Sequence, residues 1–169
     1  TQITPNIYLF TGQFTNGYCK VMPDYGRTGL IDRAGNEVVP CIYDDVGFPS
    51  EGRVLVVKNN RYGYTDLQGR EVIDLQYLRA GSFSDGCAPV LVIIDSFFSA
   101  CTFIDTLGRQ LYPAVYENLL PFSCGYAPVL RYERWGLIDR SGREVLPTVF
   151  EQLTPCFDSF FFAGESDAL

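Results

Sequence analysis

The chain has 169 residues, of which 15% are aromatic, and a formal net charge of −7. This length suffices for a hydrophobic core, and the many Phe and Tyr residues, with 16 Gly and 10 Pro, favour short strands joined by turns. Nucleic acid and anionic membrane surfaces are poor partners, because Lys and Arg never form the basic run that binding to phosphates requires. No apolar stretch approaches the roughly 20 residues that a membrane-spanning helix needs.

The first predicted strand of each repeat follows a phenylalanine and a turn of small residues. This pattern recurs in FTNGYCKV (14–21), FPSEGRVLV (48–56), FSDGCAPV (83–90) and FSCGYAPV (122–129). With Phe157 included, the opening phenylalanines are 34, 35, 39 and 35 residues apart. Recurrence at such a spacing is the sequence signature of a tandem-repeat protein.

A second and a third strand flank an Asp-x-x-Gly turn in every repeat. In the last copy these strands are predicted at 135–138 and 144–146. Asp at the first position and Gly at the fourth suit a type I turn, in which the Gly takes the positive φ of a β-bulge. The turn residues are Asp32 and Gly35, Asp66 and Gly69, Asp105 and Gly108, and Asp139 and Gly142.

The predicted fold is all-β, a tandem array of about four three-stranded repeats of roughly 35 residues each. Three short strands bury little alone, so neighbouring repeats must stack. We predict a single domain over 1–169 that is a piece of a larger protein. Its parts are a partial repeat 1–13, repeats 14–47, 48–82, 83–121 and 122–156, and a partial repeat 157–169. The partial ends leave two architectures open, an open twisted β-solenoid-like array or a closed β-propeller-like ring.

The phrases RWGLID (134–139) and GREVLP (142–147) resemble the bacterial WG-repeat family, also called KWG repeats. The resemblance covers nearly the whole chain, although only the fourth repeat keeps the Trp-Gly pair. The second has Tyr62-Gly63, the first has Thr28-Gly29, and the third has lost the dipeptide around Ala100-Cys101. The resemblance implies a β-rich array in a larger bacterial protein and assigns no catalytic residues.

No catalytic, cofactor-binding or metal-binding residues are predicted. Two turn aspartates could in principle act as an acid–base pair, but one capping role explains all four. The sequence has no histidine, no CxxC pair, no Gly-x-Ser-x-Gly and no phosphate loop. The six cysteines fall at different places within the repeats, so we interpret them as free thiols, which favours the cytoplasm over an oxidising compartment.

Aromatic residues supply the candidate partner-binding sites. Tyr43, Tyr77 and Tyr116 recur at one repeat position and could form the seams between repeats or line a groove for a peptide or glycan. In the third repeat the link between the first two strands is about five residues longer than in the second or fourth, which places Phe97 and Phe98 near its tip. Exposed aromatic tips often contact a partner; alternatively, the pair plugs a gap in the array.

The run Phe157–Phe162 contains four phenylalanines and predicts an association-prone edge that a following repeat or a second copy would cover. Taken together, the sequence favours a non-catalytic protein-interaction or scaffold module whose partner is a protein or peptide. The alternative is a carbohydrate-binding surface module. Exposed, coplanar tyrosines along a groove would favour a glycan, whereas buried tyrosines with an exposed Phe tip would favour a protein.

Overall fold

The computed structural model describes residues 8–23, 26–155 and 161–164. Within those ranges the chain is all β and contains no helix, and therefore none with the length and apolarity of a membrane span. The chain divides into two compact units, Thr1–Ser82 and Phe83–Leu169.

The first unit contains two antiparallel sheets in which the strand order follows the chain order. The strands of the first sheet are β1 (Phe10–Thr11), β2 (Tyr18–Met22), β3 (Thr28–Asp32) and β4 (Glu37–Tyr43). Those of the second sheet are β5 (Asp45–Val46), β6 (Val54–Lys58), β7 (Arg61–Thr65) and β8 (Glu71–Tyr77), and β9 (Arg79–Ala80) follows.

The second unit repeats this arrangement with one variation. Its first sheet is built on the hairpin β10 (Cys87–Ile93) and β11 (Ser99–Asp105). Its second sheet has four strands, β12 (Asn118–Leu119), β13 (Tyr126–Arg131), β14 (Arg134–Asp139) and β15 (Glu144–Phe150). A pair formed by β16 (Gln152–Pro155) and β17 (Phe161–Gly164) follows.

The repeats therefore contain one more strand than the three predicted. The additional strand is a two-residue strand such as β5 or β12, which opens a four-stranded sheet. Two residues give no alternating pattern in the sequence, so the pairing of Asp45 with Val57 becomes visible only in the structure. The last strand of each four-stranded sheet, which the sequence predicts as the third strand of the repeat, is also longer than predicted. It continues through register shifts to the aromatic position, as in the pairing of Trp135 with Phe150.

Those register shifts occur where the backbones of two strands approach closely at a glycine. A Cβ atom on Gly63 would lie 2.7 Å from the carbonyl oxygen of Ile73, and one on Gly136 would lie 2.8 Å from that of Leu146. No real side chain fits at such distances. The glycine of the Trp-Gly pair is thus required by the close packing of two strands, whereas the residue before it can vary between repeats.

Buried side chains from successive sheets form the core of each unit. In the first unit, Leu30 and Val39 of the first sheet pack with Val54 and Val56 of the second. In the second unit, Phe103 packs against Phe122, with ring centroids 4.6 Å apart. Stacking of neighbouring repeats therefore supplies the apolar burial that a single sheet lacks.

Candidate functional site

The four predicted turn aspartates occupy equivalent, internally bonded turns. In each turn the glycine N–H donates to the aspartate main-chain carbonyl, for example from Gly142 to Asp139 at 2.9 Å. The carboxylate accepts further bonds from the main-chain N–H groups two and four residues later. The glycines have left-handed φ angles: Gly35 at 85°, Gly69 at 73°, Gly108 at 80° and Gly142 at 80°.

The carboxylates of these turns are held in their ionised form. The Ser141 hydroxyl is the main group that lowers the pKa of Asp139, to about 2. Burial raises the pKa of Asp66, but the hydrogen bonds and charge of Arg70, with the Gln68 N–H, outweigh it and leave that pKa lowered. A general acid at neutral pH needs a raised pKa and a free oxygen. These carboxylates have neither property, and they fix the turns.

The three repeated tyrosines lie inside the packing of the sheets. Tyr43 is 1% exposed, Tyr77 5% and Tyr116 8%. The Tyr43 hydroxyl is hydrogen-bonded to Glu71 at 3.3 Å, and burial, ahead of that carboxylate, raises its pKa to about 12. Rings with so little exposed area offer a ligand almost no surface.

The hairpins of the second and fourth sheets have tight tips. Their last strand pairs are Lys58 with Arg61 and Arg131 with Arg134, each closed by two residues. Those closing residues, Asn59–Asn60 and Tyr132–Glu133, all have φ between 52° and 58°. Two consecutive left-handed residues are the pattern of a type I′ turn, which matches the twist of the strands.

The hairpin β10–β11 in the third repeat is longer. Its last pair is Ile93 with Ser99, which leaves a loop of five residues, 94–98. The N–H groups of Ile94 and Asp95 donate to the Phe98 carbonyl at 2.9 and 3.2 Å. The Asp95 carboxylate accepts from the N–H groups of Phe97 and Phe98 at 2.8 and 3.0 Å. The loop is therefore closed by its own hydrogen bonds.

The tip of this hairpin is apolar and faces solvent. The Phe97 ring is 90% exposed and that of Phe98 68%, and the adjacent Ile93 and Ile94 are each about half exposed. Between residues 86 and 104 the only charged residue is Asp95, whose carboxylate is already bonded within the loop. We call Ile93, Ile94, Phe97 and Phe98 the apolar tip.

An acidic residue from the preceding repeat closes the tight tips, a feature that the sequence patterns did not reveal. Asp44 accepts a hydrogen bond from the Asn59 N–H at 2.6 Å. Glu117 accepts from the N–H groups of Tyr132 and Glu133 at 2.8 and 3.2 Å. The signal available in the sequence was an acidic residue directly after the third-strand aromatic, present as Asp44, Glu117 and Glu151 but replaced by Leu78 in the second repeat.

Leu78 precedes the repeat with the long hairpin. In register it holds the position of Asp44 and Glu117, so the usual acidic cap is absent from the sequence before this hairpin. The long hairpin instead carries Asp95 inside its own loop. The carboxylate that accepts hydrogen bonds from the hairpin tip thus comes from the loop itself in the third repeat, whereas it comes from the preceding repeat in the second and fourth.

Two further sequence predictions are only partly covered by the described residues. The association-prone edge Phe157–Phe162 lies outside them from 157 to 160, and for Phe161 and Phe162 only the backbone pairing of β17 with β16 is described. Among the cysteines in the described ranges, Cys19 and Cys87 are buried, Cys41 and Cys101 are half-buried, and Cys124 is exposed; none of these five forms a disulfide.

Comparison with known proteins gives a match to a family and likenesses to solved structures, of which two are described. The model of the WG containing repeat family matches residues 29–62, 62–92, 102–131 and 135–162. No curated protein matches the sequence. The computationally designed Ika4 protein is 11% identical, with 75% of this chain and 87% of that chain covered and a TM-score of 0.47. BamB from Moraxella catarrhalis is 12% identical, with 93% and 55% covered and a TM-score of 0.47.

Proposed function

Because the chain belongs to the WG containing repeat family, we propose that it is a non-catalytic interaction module of a larger bacterial protein and contacts a protein partner through the apolar tip of its third repeat. The observation that carries the proposal is the Phe97 ring, 90% exposed at the end of a hairpin. Large aromatic side chains dominate the energy of protein interfaces when a partner covers them.

The form of the hairpin supports a role in binding. The hairpins that precede and follow it in the chain are closed by two residues each, so the longer loop is not needed to close a hairpin of this repeat. Its aromatic rings are not used in the core, which is filled by other side chains such as Phe103 and Phe122. An insertion that exposes two phenylalanines brings an energetic penalty in water, which a partner would remove.

A carbohydrate-binding surface is the weaker alternative. Glycan recognition through stacked rings would need the repeated tyrosines to face solvent, and Tyr43, Tyr77 and Tyr116 are buried. Catalysis through the turn aspartates is also weaker, because their oxygens are bonded within each turn and their pKa values are lowered.

The proposal is tested by capture from a lysate of the source organism. The parent chain, a Phe97→Ser/Phe98→Ser variant and a Tyr132→Asn control are immobilised in parallel, and retained proteins are identified by mass spectrometry. Tyr132 is a matched control because its ring is also exposed at a hairpin tip and its left-handed φ suits asparagine.

A protein retained by the parent and the control but lost by the double variant supports the proposal. That protein is then purified, and its affinity for the three chains is measured by calorimetry to establish direct contact. Equal retention by all three chains contradicts the proposed contact. Retention of no protein, followed by binding on a glycan array, would favour the carbohydrate alternative.

A further inference from the structure

We propose that Asp95 is a positioning residue that holds the Phe97–Phe98 pair ready for a partner. This inference rests on the proposed function, since it concerns the same hairpin tip. The carboxylate of Asp95 accepts bonds from the N–H groups of both phenylalanines, at 2.8 and 3.0 Å. One side chain therefore fixes the backbone of the two residues whose rings are exposed.

The chain contains its own comparison for this role. Two other hairpin tips are held by a carboxylate on main-chain N–H groups, supplied in both cases by the preceding repeat through Asp44 or Glu117. A carboxylate that accepts from tip N–H groups is thus a recurring device of these repeats. In the third repeat the loop supplies it, so that the acceptor and both donors of these bonds lie within residues 94–98.

Preorganisation explains why such a loop would need its own cap. Ordering a flexible loop when a partner arrives reduces the affinity, and a loop that is already ordered avoids this loss. Exposed phenylalanines on a disordered loop would also collapse onto nearby apolar surface. The Asp95 bonds hold the main chain of both residues in one conformation, so that the rings project from a fixed base.

Hydrogen exchange tests the inference without knowledge of the partner. Asp95→Ala removes the acceptor, Asp95→Asn keeps an oxygen at the same place, and Ser96→Ala is the control within the loop. We expect the Phe97 and Phe98 amides to exchange about tenfold faster in Asp95→Ala, and at nearly the parent rate in the other two. The urea midpoint of unfolding should stay at the parent value in all three, because the loop lies outside the core.

Unchanged amide exchange in Asp95→Ala would overturn the inference. So would a fall in the urea midpoint equal to that of a core variant, since it would show a role in general stability. Binding to the protein captured above separates this inference from the proposed function. We expect weaker binding by Asp95→Ala and rescue by Asp95→Asn; full binding by Asp95→Ala alongside its loss in Phe97→Ser/Phe98→Ser would overturn the positioning role alone.

Discussion

The hydroxyl of Thr102 donates a hydrogen bond to the main-chain carbonyl of Tyr112 at 2.7 Å. Thr102 pairs with Val90 on the neighbouring strand. In the other repeats the residue that pairs with the equivalent valine is a glycine: Gly29, Gly63 and Gly136. Thr102 therefore occupies the position of the glycine in the Trp-Gly pair. The sequence predicts this dipeptide around Ala100-Cys101, and the structure places its second position one residue later, at Thr102. The segment after this strand, which forms a continuous strand in the other repeats, pairs with it in the third repeat only through two isolated bridges, Cys101 with Tyr116 and Ile104 with Gln110. The presence of a Cβ at Thr102 accounts for this loss of continuous pairing.

The same steric argument predicts that glycine is required in the regular repeats. Gly136→Ala places a Cβ against the Leu146 carbonyl and should destabilise the chain by about 1–3 kcal/mol, the usual cost of overpacking. Urea denaturation measures the change. Gly12→Ala is the control, since its Cβ would lie at an ordinary contact distance of 3.6 Å from the Lys20 carbonyl oxygen. Equal effects of the two substitutions would show that glycine is not needed for the close approach.

The apolar tip should contribute little to folding. Phe97→Ser/Phe98→Ser should change the free energy of unfolding by less than about 0.5 kcal/mol, as is usual for exposed positions. Phe103→Ala, in the buried core, should lower it by about 3–5 kcal/mol. A large loss of stability in the double variant would mean that the two rings fill a gap in the array, the alternative left open by the sequence.

Stability should fall in acid partly because of the turn aspartates. The folded pKa of Asp139 is about 2, below its ordinary value of 3.8, so the ionised form favours the folded state. Its contribution is fully present above about pH 4 and is lost as the pH falls towards about 2. Asp139→Asn should flatten this part of the curve of urea midpoint against pH. Asp74→Asn, outside the turns, controls for loss of a charge; identical curves for both variants would contradict the prediction.

The cap from the preceding repeat should be measurable at the fourth hairpin. Glu117→Ala removes the acceptor for the N–H groups of Tyr132 and Glu133. We expect the free energy of opening the hairpin tip to fall by about 1.5 kcal/mol, the lower end of the range for hydrogen bonds to a charged group, because this carboxylate is exposed. Hydrogen exchange at these two amides gives the readout. Glu117→Gln should restore part of the protection, and Glu133→Gln serves as the control within the turn. Protected amides in Glu117→Ala would show that the cap is dispensable.

Binding through the apolar tip should depend little on salt. Asp95 is the only charge in residues 86–104, so electrostatic attraction contributes little at the contact. We expect retention of the captured protein to stay nearly constant between about 0.05 and about 0.5 M NaCl, a range over which exposed ion pairs are increasingly screened. A steep loss of retention with salt would assign the contact to a charged surface elsewhere on the chain.

Local chemistry made the turns predictable from the sequence. An Asp-x-x-Gly turn depends on the hydrogen bonds of one aspartate and on the positive φ of one glycine, which lie three residues apart. The length of the third hairpin was equally visible, because the repeat gives a standard against which extra residues can be counted. These features require no knowledge of distant contacts.

Other features depend on residues that are far apart in the chain. How far the Tyr43 ring is covered depends on what packs over it, and the structure shows that the ring is buried. The cap of Tyr132 by Glu117 joins positions fifteen residues apart through the pairing of a two-residue strand that has no periodicity of its own.

The sequence by itself determined the repeat, its turns and the position of Phe97 and Phe98 near the tip of the long hairpin, since these follow from recurring residue patterns and short-range backbone preferences. Only the tertiary structure decided which aromatic rings are covered, why the family glycine is required and how each hairpin tip is held. Those properties are set by the close approach of strands and by the stacking of neighbouring sheets, which no local pattern encodes.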